Sequence, residues 1–216
     1  MPRVTVPMNK TTNLKKRAAI GIRAHSGWAA VVAVAGDSGE VRVIDRQRIM
    51  VADSDGPRAK QPYHFAENLP LGEAQSHLDR CEETAIRLAT AGLRSVVKAL
   101  RDSEHEVIGC GILQASGRPL PALAATLASH ALIHTAEGEF FRNVFERACT
   151  EIGIPVSKIR ERELFDIAAG ELHTPAARLK SKIANLGREL GPPWTQDQKN
   201  AALVGWLLLA GRPKPR

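Results

Sequence analysis

Two histidines and two acidic residues are the first candidates for chemistry in this chain. His130 and His134 stand four residues apart, with Glu137 three residues further on and Glu139 nearby. On a helix this spacing places side chains on one face, where imidazole and carboxylate groups can bind a metal ion. The sequence has no HExxH motif and no cysteine near the pair. We therefore interpret both histidines as ordinary half-buried or surface residues and predict no metal site.

Motifs of the common enzyme classes are absent from the sequence. It contains neither a Walker A motif nor a GxGxxG loop, and Ser26 and Ser116 lie in glycine-containing turns without the GxSxG pattern of hydrolases. The three cysteines are widely spaced and odd in number, which favours neither a disulfide framework nor a zinc site. A reducing compartment fits this pattern best.

Basic residues suggest a second kind of site. The mixed run 160–163 (Arg-Glu-Arg-Glu) follows a predicted strand, and ligands of open α/β sheets bind at the carboxyl ends of parallel strands. The simplest interpretation is a solvated face. The alternative is the rim of a site that neighbouring basic residues extend into a track for phosphates. The candidates for nucleic-acid binding are Lys158, Arg160, Arg162, Arg178, Lys180 and Lys182.

The elements that would position these residues follow from hydrophobic periodicity and turn residues. Strands are predicted at 18–25, 28–35, 41–50, 107–113 and 154–159. Helices are predicted at 71–103, 122–152 with an interruption near Gly138, 163–171, 175–190 and 195–210, and a long loop at 52–70. Three antiparallel strands followed by two parallel ones predict an α/β protein with an RNase H-like fold, a mixed five-stranded sheet flanked by helices. This order excludes a Rossmann fold.

Length and charge set the domain organisation. A chain of 216 residues suits one domain, which we place at 18–211, between a flexible basic arm at 1–17 and a basic tail at 212–216. The formal net charge is +7, and without seven of the positive charges near the two ends the remaining net charge would be about zero. This balance permits a phosphate-rich partner such as nucleic acid. These end charges are Lys10, Lys15, Lys16, Arg17, Arg212, Lys214 and Arg216.

No apolar run approaches the ~18–20 residues that a membrane span requires, and the sequence begins with polar and basic residues. We therefore expect a cytoplasmic protein without a membrane partner.

Three segments resemble one nuclease family. Gly21-Ile22-Arg23, followed by Ser26-Gly27-Trp28-Ala29-Ala30-Val31, resembles the opening of RuvC-type Holliday junction resolvases, whose first strand reads Gly-Ile-Asp. The stretch 153–163 is similar to the same family. The stretch 197–203 lies where the family has an Asp-x-x-Asp-Ala-Leu pattern.

The resemblance implies a site in which most of the catalytic acids are replaced by other residues. In this family, carboxylates on the first strand, the fourth strand and the last helix hold two divalent ions for phosphodiester hydrolysis. The matching positions here are Arg23 on the first strand, Cys110 or Gly111 on the fourth, and Asp197 with Asn200 on the last helix. Asp197 is the only retained acid and the only catalytic candidate. No cofactor is expected, except Mg²⁺ if the protein is a nuclease.

Three hypotheses follow. The first is a catalytically degenerate RuvC-like protein that binds nucleic acid or serves as a scaffold, and the second is a metal-dependent, structure-selective endonuclease with a rearranged site. That site would combine Asp197 with Glu73, Glu163 or Asp166. The third is a protein-interaction module that forms a homodimer through the 71–103 helix and has no role with nucleic acid. We prefer the first hypothesis, under which the protein is not an enzyme.

Overall fold

A computed structural model describes residues 16–53, 56–115 and 119–211. Most of the predicted basic arm, all of the tail at 212–216, and Ser116 lie outside these described residues.

The five strands form one mixed sheet. Strands β1 (Lys16–His25), β2 (Trp28–Gly36) and β3 (Val41–Met50) are antiparallel neighbours, whereas β4 (His105–Gln114) and β5 (Val156–Arg160) run parallel to β1. The strand order is β3-β2-β1-β4-β5. This topology confirms the predicted RNase H-like α/β fold. Strand β1 begins two residues earlier than expected, so Lys16 and Arg17 belong to the strand and not to the arm.

Eight helices cover the sheet within the described part of the chain. They are α1 (Pro57–Lys60), α2 (Pro62–Ala66), α3 (Leu71–Asp102), α4 (Leu123–Leu127), α5 (His130–Glu151), α6 (Leu164–Glu171), α7 (Ala176–Leu186) and α8 (Gln196–Leu209), with one 3₁₀ turn at Glu161–Glu163 after β5. The predicted loop at 52–70 thus contains two short helices. None of the helices in the described ranges is long and apolar enough to cross a membrane.

The expected interruption near Gly138 is wrong. Helix α5 continues through Gly138, and the break lies before it, at Ser129, whose extended backbone precedes the first turn of α5. A glycine inside a helix costs only about 1 kcal/mol relative to alanine, which tertiary packing can offset. Here a Cβ atom at Gly138 would lie 3.0 Å from the guanidinium of Arg142, which pairs with Glu139.

The sheet has one apolar core on each face, because successive side chains of a strand point to opposite sides. Ile20 and Ile22 of β1 pack with α3 and α5 on one face. Ala19 of β1 packs with α6, α7 and α8 on the other. Both faces of β1 and β2 are therefore buried, which explains their nearly continuous apolar sequences.

Two glycines bring α8 very close to the sheet. A Cβ atom at Gly21 would lie 1.8 Å from the carbonyl oxygen of Ala201, and one at Gly111 would lie 2.0 Å from Val204. Only glycine allows this approach at both strands. The first turn of α8 is consequently held beside the carboxyl end of β1.

Candidate functional site

Five polar side chains meet where β1 and β5 end and α8 begins. We call them the Arg23 cluster: Arg23 and His25 on β1, Glu161 in the turn after β5, and Asp197 with Asn200 on α8. The location is the carboxyl end of the parallel strands, where ligands of open α/β sheets bind.

Arg23 is the centre of the cluster. Its Nε and Nη2 donate to the two carboxylate oxygens of Glu161, at 3.0 and 3.2 Å, and its Nη1 lies 2.9 Å from Oδ1 of Asp197. The fork of the guanidinium suits such two-point binding of a carboxylate, and an arginine stays charged at every physiological pH. Arg23 therefore pairs with both acids of the cluster, and its single positive charge offsets one of their two negative charges.

The start of α8 fixes the positions of its two cluster residues. Thr195 caps the helix: its hydroxyl accepts a hydrogen bond from the Gln198 backbone N–H, and the Gln198 side chain accepts one from the Thr195 backbone N–H. This capping box follows from the Thr-x-x-Gln spacing of the sequence. Asp197 lies in the first turn, where the helix dipole stabilises a negative charge.

Asn200 connects α8 to Glu161. The side chain is buried, its Nδ2 donates to Oε1 of Glu161 at 3.1 Å, and its Oδ1 accepts from Gln196 at 2.7 Å. A carboxylate at this position could not donate to Glu161. The amide therefore contributes a bond that the acid expected from the nuclease family would lack.

His25 has two competing partners. Its Nε2 lies 2.7 Å from Nη1 of Arg23 and 3.2 Å from Oδ2 of Asp197. One ring nitrogen cannot accept from Arg23 and donate to Asp197 at the same time, so the tautomer decides which bond forms. Burial lowers the pKa of His25, and Asp197 raises it by a smaller amount. The neutral ring is therefore favoured at neutral pH.

An aromatic stack extends the cluster across the sheet. Trp28 lies on β2, between β1 and β3; the His25 ring stacks on it with centroids 4.3 Å apart, and the guanidinium carbon of Arg48 on β3 lies 3.8 Å from its centroid. Arg48 is exposed. A cation is attracted to the face of a tryptophan ring. Aromatic and guanidinium planes of this kind can also stack on nucleic-acid bases.

The Arg23 cluster does not fit two divalent ions. Mg²⁺ binds to oxygen ligands, and negatively charged carboxylates are needed to retain it. Both carboxylates of the cluster are already paired with the guanidinium of Arg23. A metal ion at this position would lie beside the guanidinium. Within the described ranges, the only close group of three or more His, Cys, Asp or Glu ligand atoms is a histidine group elsewhere. Glu163 instead pairs with Arg160 and Arg162.

The two fourth-strand positions lie away from the cluster. Cys110 is buried in the core on the α3 and α5 face, opposite to α8, so the structure does not bring it near Arg23. Gly111 lies on the α8 face but pairs with Gly21, two residues before Arg23, and contacts Val204. Both residues therefore serve packing.

The basic candidates do not form a single track. Arg160 and Arg162 are exposed beside Glu161, whereas Lys158 pairs with Glu146 of α5 on the opposite face of the sheet. Arg178 and Lys180 are exposed on α7, and Lys182 lies over the ring of Trp206. Of the six, only Arg160 and Arg162 are next to a cluster residue in the sequence, since they flank Glu161.

Sequence reasoning missed His25 and underestimated Glu161. His25 lies two residues after Arg23, so the two side chains share a face of β1, which is a signal that the sequence contains. Glu161 was seen only as part of a charge run. Its bond to Arg23 joins residues 138 positions apart, and no local pattern predicts such a contact.

The proposed dimer helix corresponds to α3, every residue of which is described. Its apolar residues face the core, and its only exposed large apolar side chain is Leu71 at its first position. An exposed apolar stripe, which a helix-mediated dimer would need, is therefore missing from α3.

Comparisons with known proteins show a likeness of structure. A scan against protein-family models gives no match, and neither does a search of curated proteins. Among solved structures, RuvC of T. thermophilus in complex with a Holliday junction substrate matches with a TM-score of 0.51 and 10% identity, over 88% of this chain and 91% of that one. Another Thermus thermophilus RuvC structure matches with a TM-score of 0.48 and 13% identity over the same shares. The first of these likenesses shows that the chain has an RNase H-like fold similar to that of RuvC.

Proposed function

We propose that this protein is a noncatalytic RNase H-like protein that binds nucleic acid at the carboxyl end of its parallel strands. The observation that carries the proposal is Arg23. It stands where the resemblance to resolvases implies a metal-binding acid, and its guanidinium binds both nearby carboxylates. The Arg23 cluster thus replaces a metal cage with an ion-pair network.

Three features support nucleic acid as the ligand. The fold is that of a protein whose solved structure contains a Holliday junction substrate. Arg160 and Arg162 are exposed beside the cluster and can contact phosphates. The stacked Trp28 and Arg48 offer a planar, positively charged surface of the kind that binds unpaired bases.

The absence of catalysis follows from electrostatics. Phosphodiester hydrolysis by this fold needs two metal ions that activate the attacking water and stabilise the leaving oxygen. Arg23 can stabilise negative charge on a phosphate but cannot generate a hydroxide. We therefore infer that the cluster recognises the backbone of the nucleic acid and leaves it intact.

The test is binding of labelled four-way junction, duplex and single-stranded DNA and RNA to the full chain, across a salt series with Mg²⁺ present, with the products resolved on a gel. We expect salt-dependent binding without cleavage. Arg160→Ala with Arg162→Ala should lower the slope of log affinity against log salt by about 1–2 units, since each lost phosphate contact accounts for about 0.7–0.9.

The matched control is Lys98→Ala with Arg101→Ala. It removes the same charge from the end of α3, which leads into the opposite end of the sheet. Equal effects of the two double variants would contradict binding at the cluster. Cleavage that Asp197→Asn abolishes would instead establish the metal-dependent nuclease, and no binding to any of the nucleic acids would point to a protein partner.

A further inference from the structure

Three histidines from distant parts of the chain meet on the other side of the molecule. His64 lies on α2, and His130 and His134 lie one turn apart on α5. One ligand nitrogen of each lies within 4.8 Å of those of the other two. His130 and His134 are exposed, and His64 is partly buried. The group is therefore open to solvent on one side.

The spacing suits a tetrahedral transition metal. The Nε2 atoms of His130 and His134 lie 3.0 Å apart. Two nitrogens at the usual Zn–N distance of about 2.0–2.1 Å in a tetrahedral site are separated by about 3.3 Å, so a small rotation of the rings would admit the ion. The His64 ring is close as well, with its centroid 4.7 Å from that of His134 and 5.6 Å from that of His130.

Glu137 holds His64 in the orientation that a ligand needs. Its Oε2 lies 2.9 Å from Nδ1 of His64 and also accepts the backbone N–H groups of Tyr63 and His64, at 3.2 and 3.3 Å. An imidazole that donates from Nδ1 to a carboxylate keeps the lone pair of Nε2 for a metal. A histidine that binds a metal almost always donates its other ring N–H to a carboxylate, a backbone carbonyl or water, and Glu137 is a partner of the first kind.

The Glu137 carboxylate is otherwise difficult to explain. Its side chain is 5% exposed, and its Oε1 finds no hydrogen-bond partner among the described residues. An ionised carboxylate is costly away from water unless it is paired. A divalent cation on the far side of the His64 ring would compensate for that buried negative charge.

We propose that His64, His130 and His134 bind one zinc-type divalent transition metal, with Glu137 as the positioning residue behind His64. Three neutral imidazoles are ligands that suit zinc, and the fourth position faces solvent and would hold water. The ion would connect α2 to α5, two elements that are 64 residues apart at their nearest ends. This inference does not depend on the proposed function.

The first experiment titrates the full chain, freed of metal with a chelator, with Zn²⁺ in competition with a chromophoric indicator. We expect one ion per chain at this site, lost in His130→Ala with His134→Ala. The control is His173→Asn, which removes an exposed histidine outside the group; asparagine tolerates the positive φ of 46° there. Equal zinc affinity of the wild type and the double variant would overturn the proposal.

The second experiment separates ligation from folding. Glu137→Gln should weaken zinc binding by about 10- to 100-fold, as is typical when the carboxylate behind a ligating histidine is removed. Co²⁺ in place of Zn²⁺ should give the intense visible absorption of a tetrahedral site in the wild type and not in the double variant. Folding of each variant is followed by circular dichroism. A wild-type Co²⁺ spectrum that matches that of the double variant would also refute the site.

Discussion

Arg23 determines what the cluster around it can bind. A permanently charged guanidinium at the centre turns two acids into ion-pair partners, and the buried amide of Asn200 adds a donor toward one of them. The cluster thus contains two carboxylates, those of Glu161 and Asp197. Arg23 and Asn200 occupy the two positions where the resemblance to resolvases implies further acids.

Arg23→Asp combined with Asn200→Asp should therefore create metal affinity. With Glu161 and Asp197, four carboxylates would then converge, which supplies the oxygen ligands and the charge that Mg²⁺ needs. We expect calorimetric titration to show Mg²⁺ binding at least about tenfold tighter than in the wild type.

The control for this variant is Arg94→Asp with Asn185→Asp. It makes the same change of charge at two exposed positions outside the cluster. An equal gain in both double variants would reflect general electrostatic attraction and would count against the geometry of the Arg23 cluster.

The sequence could indicate part of this cluster, while the roles of its residues stay predictions. The resemblance to resolvases brought Arg23, Asp197 and Asn200 together, and the structure places all three in the cluster. The resemblance did not reveal that Cys110 faces the opposite side of the sheet. An error of one residue in strand register is enough to move a side chain to the other face. Glu161 could not be predicted for a different reason: the turn after β5 must reach across β4 for Glu161 to contact Arg23 on β1.

Helix α8 positions the cluster through its contact with β1. The glycine at position 21 lets the backbone of the helix approach that of the strand, and the same approach brings Asp197 within reach of Arg23. Ala201, Ala202 and Leu203 are fully buried along this contact. Small changes in the helix–strand distance should therefore affect stability and the cluster together.

Gly21→Ala tests this coupling. The added methyl would lie 1.8 Å from a backbone oxygen of α8, which cannot rotate away as a side chain could. We expect urea denaturation to show a free energy of unfolding lower by about 1–3 kcal/mol, or more if α8 detaches. The same substitution should also weaken nucleic-acid binding.

Gly170→Ala provides the comparison, because a Cβ atom there meets no described atom within 4 Å and the position is helical. It should leave stability unchanged or raise it by roughly 0.5–1 kcal/mol. If the two alanine variants were equally stable, the close approach of α8 to β1 would be refuted.

The order of the elements was predictable, and their fine structure was not. Long amphipathic segments such as α3 and apolar runs such as β2 carry a strong periodic signal. The helices α1 and α2 are four and five residues long, too short for periodicity to distinguish them from loop. The break was predicted at Gly138 because glycine is a poor helix former, whereas the helix actually begins after Ser129.

Across the whole protein, three histidines in separate regions should make stability depend on pH. His25 belongs to the cluster, His77 lies on α3 and His105 begins β4, and burial lowers the pKa of each. The folded state therefore binds fewer protons than the unfolded state just below the usual histidine value of about 6.5. The stabilisation is complete above that value and is lost as the pH falls through it.

We expect the free energy of unfolding to decrease between about pH 7.5 and pH 5. His105→Phe should reduce this dependence, since it removes a buried ring whose Nε2 finds no partner in the described part of the chain. Urea titrations of both proteins at several pH values measure the effect. A pH dependence that is unchanged in the variant would show that His105 remains free to ionise in the folded protein.

The contacts of Trp28 with His25 and Arg48 distinguish it from the other tryptophans. The other two tryptophans donate their indole N–H to backbone oxygens away from the cluster, Trp194 to Ile183 and Trp206 to Asp37. Arg48, the cation over the Trp28 ring, is exposed, so a ligand bound beside the cluster can displace it. The protein thus contains its own optical reporter: with Trp194 and Trp206 replaced by phenylalanine, the remaining emission would follow occupancy of the site without any label.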